Sequence, residues 1–249
     1  MTNTAVQVTL RPRRDRIPSM AREHLPLGPL KRFGVLGGSF NPIHVGHLSI
    51  AQQVRNALDL ECVFLIPAAI SPHKQSDKDM ASPQDRLVMC QQAVRNMNGL
   101  AVSAIELRRG GVSYTIETAR ELRSAYGEEA EIRFIIGSDS LAELPVWRDA
   151  DELVRIADFA IADRREEPIK DKLWEQVRDK LGGEAEEKLR QSVVRIERVD
   201  VSSTLIRQLL RSGEKIPGYL RKDVEHYIRK KGLYGAPPEP TREGRIIVT

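Results

Sequence analysis

Two histidines stand three residues apart in a string bounded by glycines, Gly37-Gly38-Ser39-Phe40-Asn41-Pro42-Ile43-His44-Val45-Gly46-His47. Adjacent glycines let backbone N–H groups come close to a phosphate. At the entry to a helix, a spacing of three puts the imidazoles of His44 and His47 on one side. Both then point toward the positive end of the helix, where anions bind. The string is neither the six-residue dinucleotide glycine pattern nor the P-loop with its closing Lys-Ser/Thr. The chemistry it suggests is the handling of a nucleotide's phosphates.

A second string, Val201-Ser202-Ser203-Thr204-Leu205-Ile206-Arg207, lies near the end of the chain. It reads as a helix start, with serines as caps and Arg207 one turn in. Exposed N–H groups, hydroxyls and a guanidinium there converge on phosphate oxygens. On its own, Ser-Ser-Thr is equally well a capping cluster. Taken alone, Trp147 reads as a core or hinge aromatic and Lys74 as a solvated loop lysine.

These residues need a scaffold, and the hydrophobic pattern supplies one. Apolar strands are expected over 33–36, 62–66, 100–105, 132–136, 159–162 and 193–197. Helical spacing is expected over 47–58, 83–97, 115–126, 149–157, 203–211 and 222–231, with a charged helical excursion over 169–190 broken at Gly182-Gly183. Ser82 is a candidate N-cap before Pro83. Strands alternating with helices imply an α/β fold, a Rossmann-like doubly wound parallel sheet with helices on both faces and a small helical C-terminal part. Ligands of such sheets bind beyond the carboxyl ends of the strands. The chemically capable residues cluster at five of those ends.

Composition narrows the classes. The 249 residues are 41% hydrophobic, enough to bury a core. No apolar run approaches the roughly 20 residues of a membrane helix, and the start of the chain lacks the apolar stretch of a signal peptide. Cys62 and Cys90 are two isolated thiols in apolar segments, read as free cysteines of a cytoplasmic protein. The net charge is +4, but residues 1–32 alone carry seven Lys/Arg against two acids. The rest carries 32 bases and 33 acids, so the basic balance belongs to an extension and not to a nucleic-acid groove. The expected organisation is a basic, disordered stretch over 1–31, a nucleotide-handling domain over 32–235 and a Pro-rich loose tail over 236–249.

The first string resembles the opening motif of the nucleotidyltransferase superfamily, with its (His/Thr)-x-Gly-His signature. The second resembles that superfamily's Ile-Ser-Ser-Thr-x-Ile-Arg. Five further strings are similar to bacterial nicotinate-nucleotide adenylyltransferases: Ser113-Tyr114-Thr115-Ile116-Glu117-Thr118, Ile136-Gly137-Ser138-Asp139-Ser140-Leu141, Leu144-Pro145-Val146-Trp147-Arg148 with Glu152-Leu153, Val224-Glu225-His226-Tyr227-Ile228, and Gly232-Leu233-Tyr234. The resemblance covers roughly residues 33–235.

It implies transfer of AMP from ATP to nicotinate mononucleotide, giving deamido-NAD and pyrophosphate in NAD biosynthesis. By that resemblance His44, His47 and Arg207 are the catalytic set on the ATP phosphates. Gly37, Gly38, Ser39, Phe40, Gly46, Ser202, Ser203 and Thr204 join them in binding ATP, with Gly137 and Asp139 beside the adenosine. Asn41, Lys74, Thr115, Trp147 and Arg148 fall to the acceptor: Thr115 at the nicotinate carboxylate, Trp147 stacked on the ring, Lys74 at the phosphate. Three departures stand out. Ser71-Pro72-His73-Lys74 lacks the family's second proline, Arg148 stands where an aromatic is frequent, and the stretch 164–190 is long and highly charged.

An acceptor phosphate is already ionised at neutral pH, so no general base is needed. The expected work is alignment and charge stabilisation. Mg²⁺ is expected to ride on the ATP phosphates, with no all-protein metal site. The competing readings are a related transferase for nicotinamide mononucleotide or phosphopantetheine, a nucleotide-binding module without turnover, and an RNA-binding protein. A homo-oligomer stays open, with 164–190 as a candidate assembly surface.

Overall fold

Strands that are apolar on both faces must be covered on both, and their side chains divide by a period of two. Phe33 and Val35 point to one face of the sheet and Leu36 to the other. Phe64 and Ile66 separate from Val63 and Leu65 in the same way, and Phe159 and Ile161 from Ala160 and Ala162. The structure, a computed structural model, describes residues 30–72, 79–163 and 169–238. The readings made for residues 1–29, for Lys74 and for 239–249 lie outside the described residues.

Six strands form one sheet: β1 (Arg32–Gly38), β2 (Cys62–Pro67), β3 (Leu100–Val102), β4 (Glu131–Gly137), β5 (Asp158–Asp163) and β6 (Val193–Arg195). Their order is β3-β2-β1-β4-β5-β6 and every pairing is parallel. The order reverses between β1 and β4, which places a switch-point crevice beyond Gly38 and Gly137. Gly34 of β1 lies under side chains of both neighbouring strands; an added Cβ would lie 2.9 Å from Val63 and 3.0 Å from Ile135.

Nine α-helices cover the sheet among the described residues: α1 (Val45–Ala57), α2 (Pro83–Val94), α3 (Ile105–Arg109), α4 (Thr115–Tyr126), α5 (Ala150–Ile156), α6 (Asp171–Leu181), α7 (Gly183–Gln191), α8 (Ser203–Ser212) and α9 (Lys222–Lys231). One core layer holds Ile116, Leu122, Leu153 and Val177 of α4–α6 against Phe33 and Phe134. The other holds Ala51, Met89, Ile206 and Val224 of α1, α2, α8 and α9 against Leu65 and Ala160. The C-terminal helices therefore complete the second layer. Ser82 caps α2, accepting from the Asp85 N–H at 3.0 Å.

Two expectations change. The run 100–105 is strand only to Val102, and Ile105 opens α3. Ile105 is buried in the first core layer, so its apolar character served a helix, which a six-residue run cannot distinguish from a strand. The charged helical excursion also contributes to the core. It forms α6 and α7, broken at Gly182 with φ +87°, and buries Trp174, Val177 and Leu189 in the first core layer. A sparse apolar stripe at helical spacing was enough to dock it. Cys90 is buried, Cys62 is half-buried, and both are free thiols.

Candidate functional site

The loop leaving β1 is shaped by small residues and by one strained one. Gly37 is exposed, and a Cβ there would meet no atom within 4 Å, so bare backbone faces open space. Phe40 adopts φ +47°, a left-handed conformation uncommon for a bulky residue. Its ring is buried and packs edge-on against His47, with centroids 5.0 Å apart. This packing is what holds Phe40 in place and turns the chain toward α1.

His44 is the N-cap of α1, extended at φ −146° and ψ 171°, and only 7% exposed. His47 lies at the third helical position. The two rings approach to 3.8 Å between centroids at 32°. The His44 backbone N–H donates to His47 Nδ1 at 3.3 Å. A ring nitrogen that accepts carries no proton, so the His47 proton sits on Nε2, which is a donor. The first turns of α1 and α8 carry no acidic residue, which leaves both positive helix ends available to an anion.

Side chains of the second string tie it to the first. Ser203 Oγ donates to Pro42 O at 2.9 Å and Arg207 Nη1 donates to Asn41 O at 2.9 Å. Ser202 caps α8 through the Leu205 N–H at 3.1 Å, and Thr204 is exposed on its first turn. Gly46 is buried where the strings touch; a Cβ there would lie 2.9 Å from Val201 and 3.0 Å from the His44 ring. Arg207 Nε is buried without an acceptor in the structure. A buried guanidinium N–H left unmet is costly, so a ligand oxygen is the natural partner.

Asn41 is spoken for. Its Nδ2 donates to Asp79 O at 3.1 Å, and its Oδ1 accepts from Ala81 N–H at 3.0 Å and from the Tyr234 hydroxyl at 2.8 Å. The side chain expected at the acceptor thus braces the loop, and its neighbour Tyr234 has its ionisation pushed up by burial.

Two clefts border the end of β4. The first, about 440 Å³, is lined by Ser138, Asp139 and the segment 198–202 with Leu205. The second, about 140 Å³, is lined by Gly37, Gly38, Ser39, Thr115 and Trp147, among others. The first string touches both: Gly37–Ser39 line the second, and Gly46 abuts Val201, which lines the first. Gly137 closes β4 between them, paired with Ala162.

The second cleft rests on a polar floor. Thr118 Oγ1 donates to Glu106 at 2.7 Å and accepts from Arg109 at 3.0 Å, while Ser113 Oγ accepts from the Ala69 N–H at 2.9 Å. Burial raises the Glu106 carboxyl's pKa, against the hydrogen bonds of Thr118 and Ser113. Trp147 packs on the first core layer, and its Nε1–H is buried without an acceptor. Arg148 pairs with Glu117 at 3.1 Å and lies 4.6 Å over the Tyr114 ring, which ties the 147–148 segment to α4. Among the described residues, no group of three or more His, Cys, Asp or Glu could hold a metal ion.

Sequence reasoning passed over Arg86 and Glu106, and gave Tyr234, quoted within a matching string, no role. For Arg86 the signal was present: it falls on the same helical stripe as Met89, Cys90 and Ala93, all buried, where a charged residue is out of place.

The cytidylyltransferase-like family matches residues 35–209, from β1 through most of α8. The chain belongs to that family. Within it, a relative from Halalkalibacterium halodurans named probable nicotinate-nucleotide adenylyltransferase is 38% identical over 210 residues, covering 82% of this chain and 92% of its own. A relative of the same name from Syntrophotalea carbinolica is 37% identical, covering 82% of this chain and 97% of its own. In fold, the chain resembles the Plasmodium falciparum nicotinic acid mononucleotide adenylyltransferase complexed with NaAD. The TM-score is 0.64 at 18% identity, over 83% of this chain and 98% of the other. The family is one of nucleotidyltransferases, and this chain is one. No helix among the described residues is long and apolar enough to cross a membrane.

Proposed function

We propose that the protein transfers AMP from Mg²⁺–ATP to nicotinate mononucleotide in the cytoplasm, giving deamido-NAD and pyrophosphate. The observation that carries this is the meeting of two clefts at one phosphate-suited loop, with stacked imidazoles and a half-satisfied Arg207 beside it. The curated relatives' shared name supports the same acceptor.

Adenosine fits the first cleft, beside Gly137 and Asp139. The nicotinate ring fits the second, against Trp147, whose unmet Nε1–H is a donor for a carboxylate or a carbonyl, with Thr115 close by. Lys74, outside the described residues, is assigned to the acceptor phosphate on the resemblance alone. An oxygen of that phosphate attacks the α-phosphorus of ATP, and the bond to the bridging oxygen of pyrophosphate breaks. No proton has to be removed, because a monoester phosphate with a second pKa of about 6 is largely dianionic at pH 7. The His47 Nε2–H, the His44 ring and Arg207 stabilise charge on the phosphates, while Mg²⁺ enters as part of the nucleotide substrate.

The test is pyrophosphate release from ATP with a panel of acceptors. Release should be fastest with nicotinate mononucleotide, slower with nicotinamide mononucleotide and absent with phosphopantetheine. Preference for phosphopantetheine would refute the assignment.

A further inference from the structure

Arg86 is 2% exposed, on the second turn of α2. Among the described residues its guanidinium donates only to backbone carbonyls. Nε reaches Ala81 O at 3.1 Å, Nη1 reaches Ser39 O at 2.8 Å, and Nη2 reaches Ala68 O at 2.6 Å and Ala69 O at 3.0 Å. Among the described residues no carboxylate forms an ion pair with it. Burial lowers its pKa, yet a guanidinium keeps its proton in proteins. A buried cation is thus held, among the described residues, by carbonyl dipoles.

The carbonyls belong to two connections, the loop after β1 and both ends of the connection from β2 to α2. Ser39 is in the loop after β1. Ala68 and Ala69 follow β2, and Ala81 precedes α2. Ser39 and Ala68 both line the second cleft, and the Ala69 N–H is itself bonded to Ser113 on the cleft floor. The planar fork is suited to this task, because it fixes several acceptors at set angles where a lysine ammonium could not.

We propose that Arg86 is a positioning residue for the transfer step: it sets the separation between the phosphate-binding loop after β1 and the acceptor-side segment after β2. This rests on the adenylyltransferase reading above. In-line attack needs the two phosphates aligned, and an error near 1 Å can cost about 10²-fold in rate. Arg86 touches neither substrate, so its loss should fall on the joint geometry and leave each separate binding step largely intact.

The test uses the full chain with Arg86→Lys, which keeps the charge but not the fork, and Arg86→Met, which removes both. Binary dissociation constants for ATP and for nicotinate mononucleotide are measured by calorimetry, kcat by pyrophosphate release, and thermal stability alongside. Arg86→Lys should bind each substrate within about threefold of wild type and lose about 10²-fold in kcat. Arg86→Met should lose more. A folded Arg86→Lys with wild-type kcat would overturn the proposal alone. So would parallel weakening of both binding constants and kcat, which marks a purely structural role. Absence of pyrophosphate release from the unmutated chain would instead overturn the functional reading beneath it.

Discussion

Gly46 is where a single methyl group should separate packing from chemistry. An added Cβ would stand 2.9 Å from Val201 Cγ1, 3.0 Å from His44 Nδ1 and 3.1 Å from His44 Cε1. Carbon contacts prefer about 3.5–4.0 Å, so the overlap is roughly 0.5–1 Å. Overpacking of this kind costs about 1–3 kcal/mol. Alanine recovers about 0.5–1 kcal/mol over glycine inside a helix. The net loss for Gly46→Ala is then about 0–2.5 kcal/mol, a fall in Tm of a few degrees at this chain length. Relief requires the His44 ring to turn or Val201 to move away, and Val201 leads directly into α8. Either displaces a group proposed to contact the phosphates by several tenths of an ångström. The expected loss in kcat/KM is about 10- to 10²-fold. Pyrophosphate release and thermal denaturation of the same preparation decide the matter. Wild-type turnover in a variant destabilised by a few degrees would show that the contact between the two strings is not part of the site. Global unfolding would refute the small stability cost, showing that neither the His44 ring nor Val201 can give way.

Three further outcomes are expected. His47→Ala should lower turnover about 10²-fold or more, as removing a transition-state donor does; a near-normal steady-state rate would end its proposed role. Trp147→Ala should raise KM for nicotinate mononucleotide more than KM for ATP, and equal effects on both would argue against ring stacking. Tyr227→Phe tests the tie between α9 and α2. The Tyr227 hydroxyl donates to Asp85 Oδ1 at 2.8 Å, and hydrogen bonds from Ser82 and then Tyr227 hold the Asp85 carboxyl below its ordinary range. A depressed carboxylate stabilises the fold above its unfolded pKa of about 3.9, and that contribution is lost as pH falls through the folded value. The variant should therefore be less stable by about 1 kcal/mol at pH 7, with the gap narrowing in thermal melts as the pH falls below the unfolded value of about 3.9.

The parallel sheet was legible because its strands are short apolar runs punctuated by Gly, Pro and polar loops, and because the helices between them carry stripes at the right period. The errors fell where periodicity has least to measure. Leu100 to Ile105 is too short to show a change from strand to helix, and the stripe through Trp174, Val177 and Leu189 is thin among many charges. In the site, the strings identified which loops meet, but not which atoms each residue uses. Asn41 illustrates the gap. Its type suits a ligand contact, yet its side chain is bonded to Asp79, Ala81 and Tyr234, partners up to 193 residues away. No local pattern encodes such partners. Arg86 was visible only as a charge on an apolar stripe, and its four carbonyl partners emerge only when the loop after β1 and the connection from β2 to α2 are folded together.

The fixed loops and the proposed chemistry explain each other. A reaction that needs no base gains little from a mobile proton carrier and much from donors that do not reorganise. The polar residues around the phosphate loop are arranged accordingly. Arg86 holds Ser39 O, Arg207 holds Asn41 O, Ser203 holds Pro42 O, and the His44 N–H holds the His47 ring. Four consecutive residues from Ser39 to Pro42, buried from Phe40 onward, thus have three of their carbonyls pinned by side chains from α2 and α8. Arg207 Nε, buried without an acceptor, and the His47 Nε2–H are donors. A site that fixes its carbonyls inward and presents donors outward suits an anion whose charge changes distribution without moving a proton, which is what pyrophosphate departure requires.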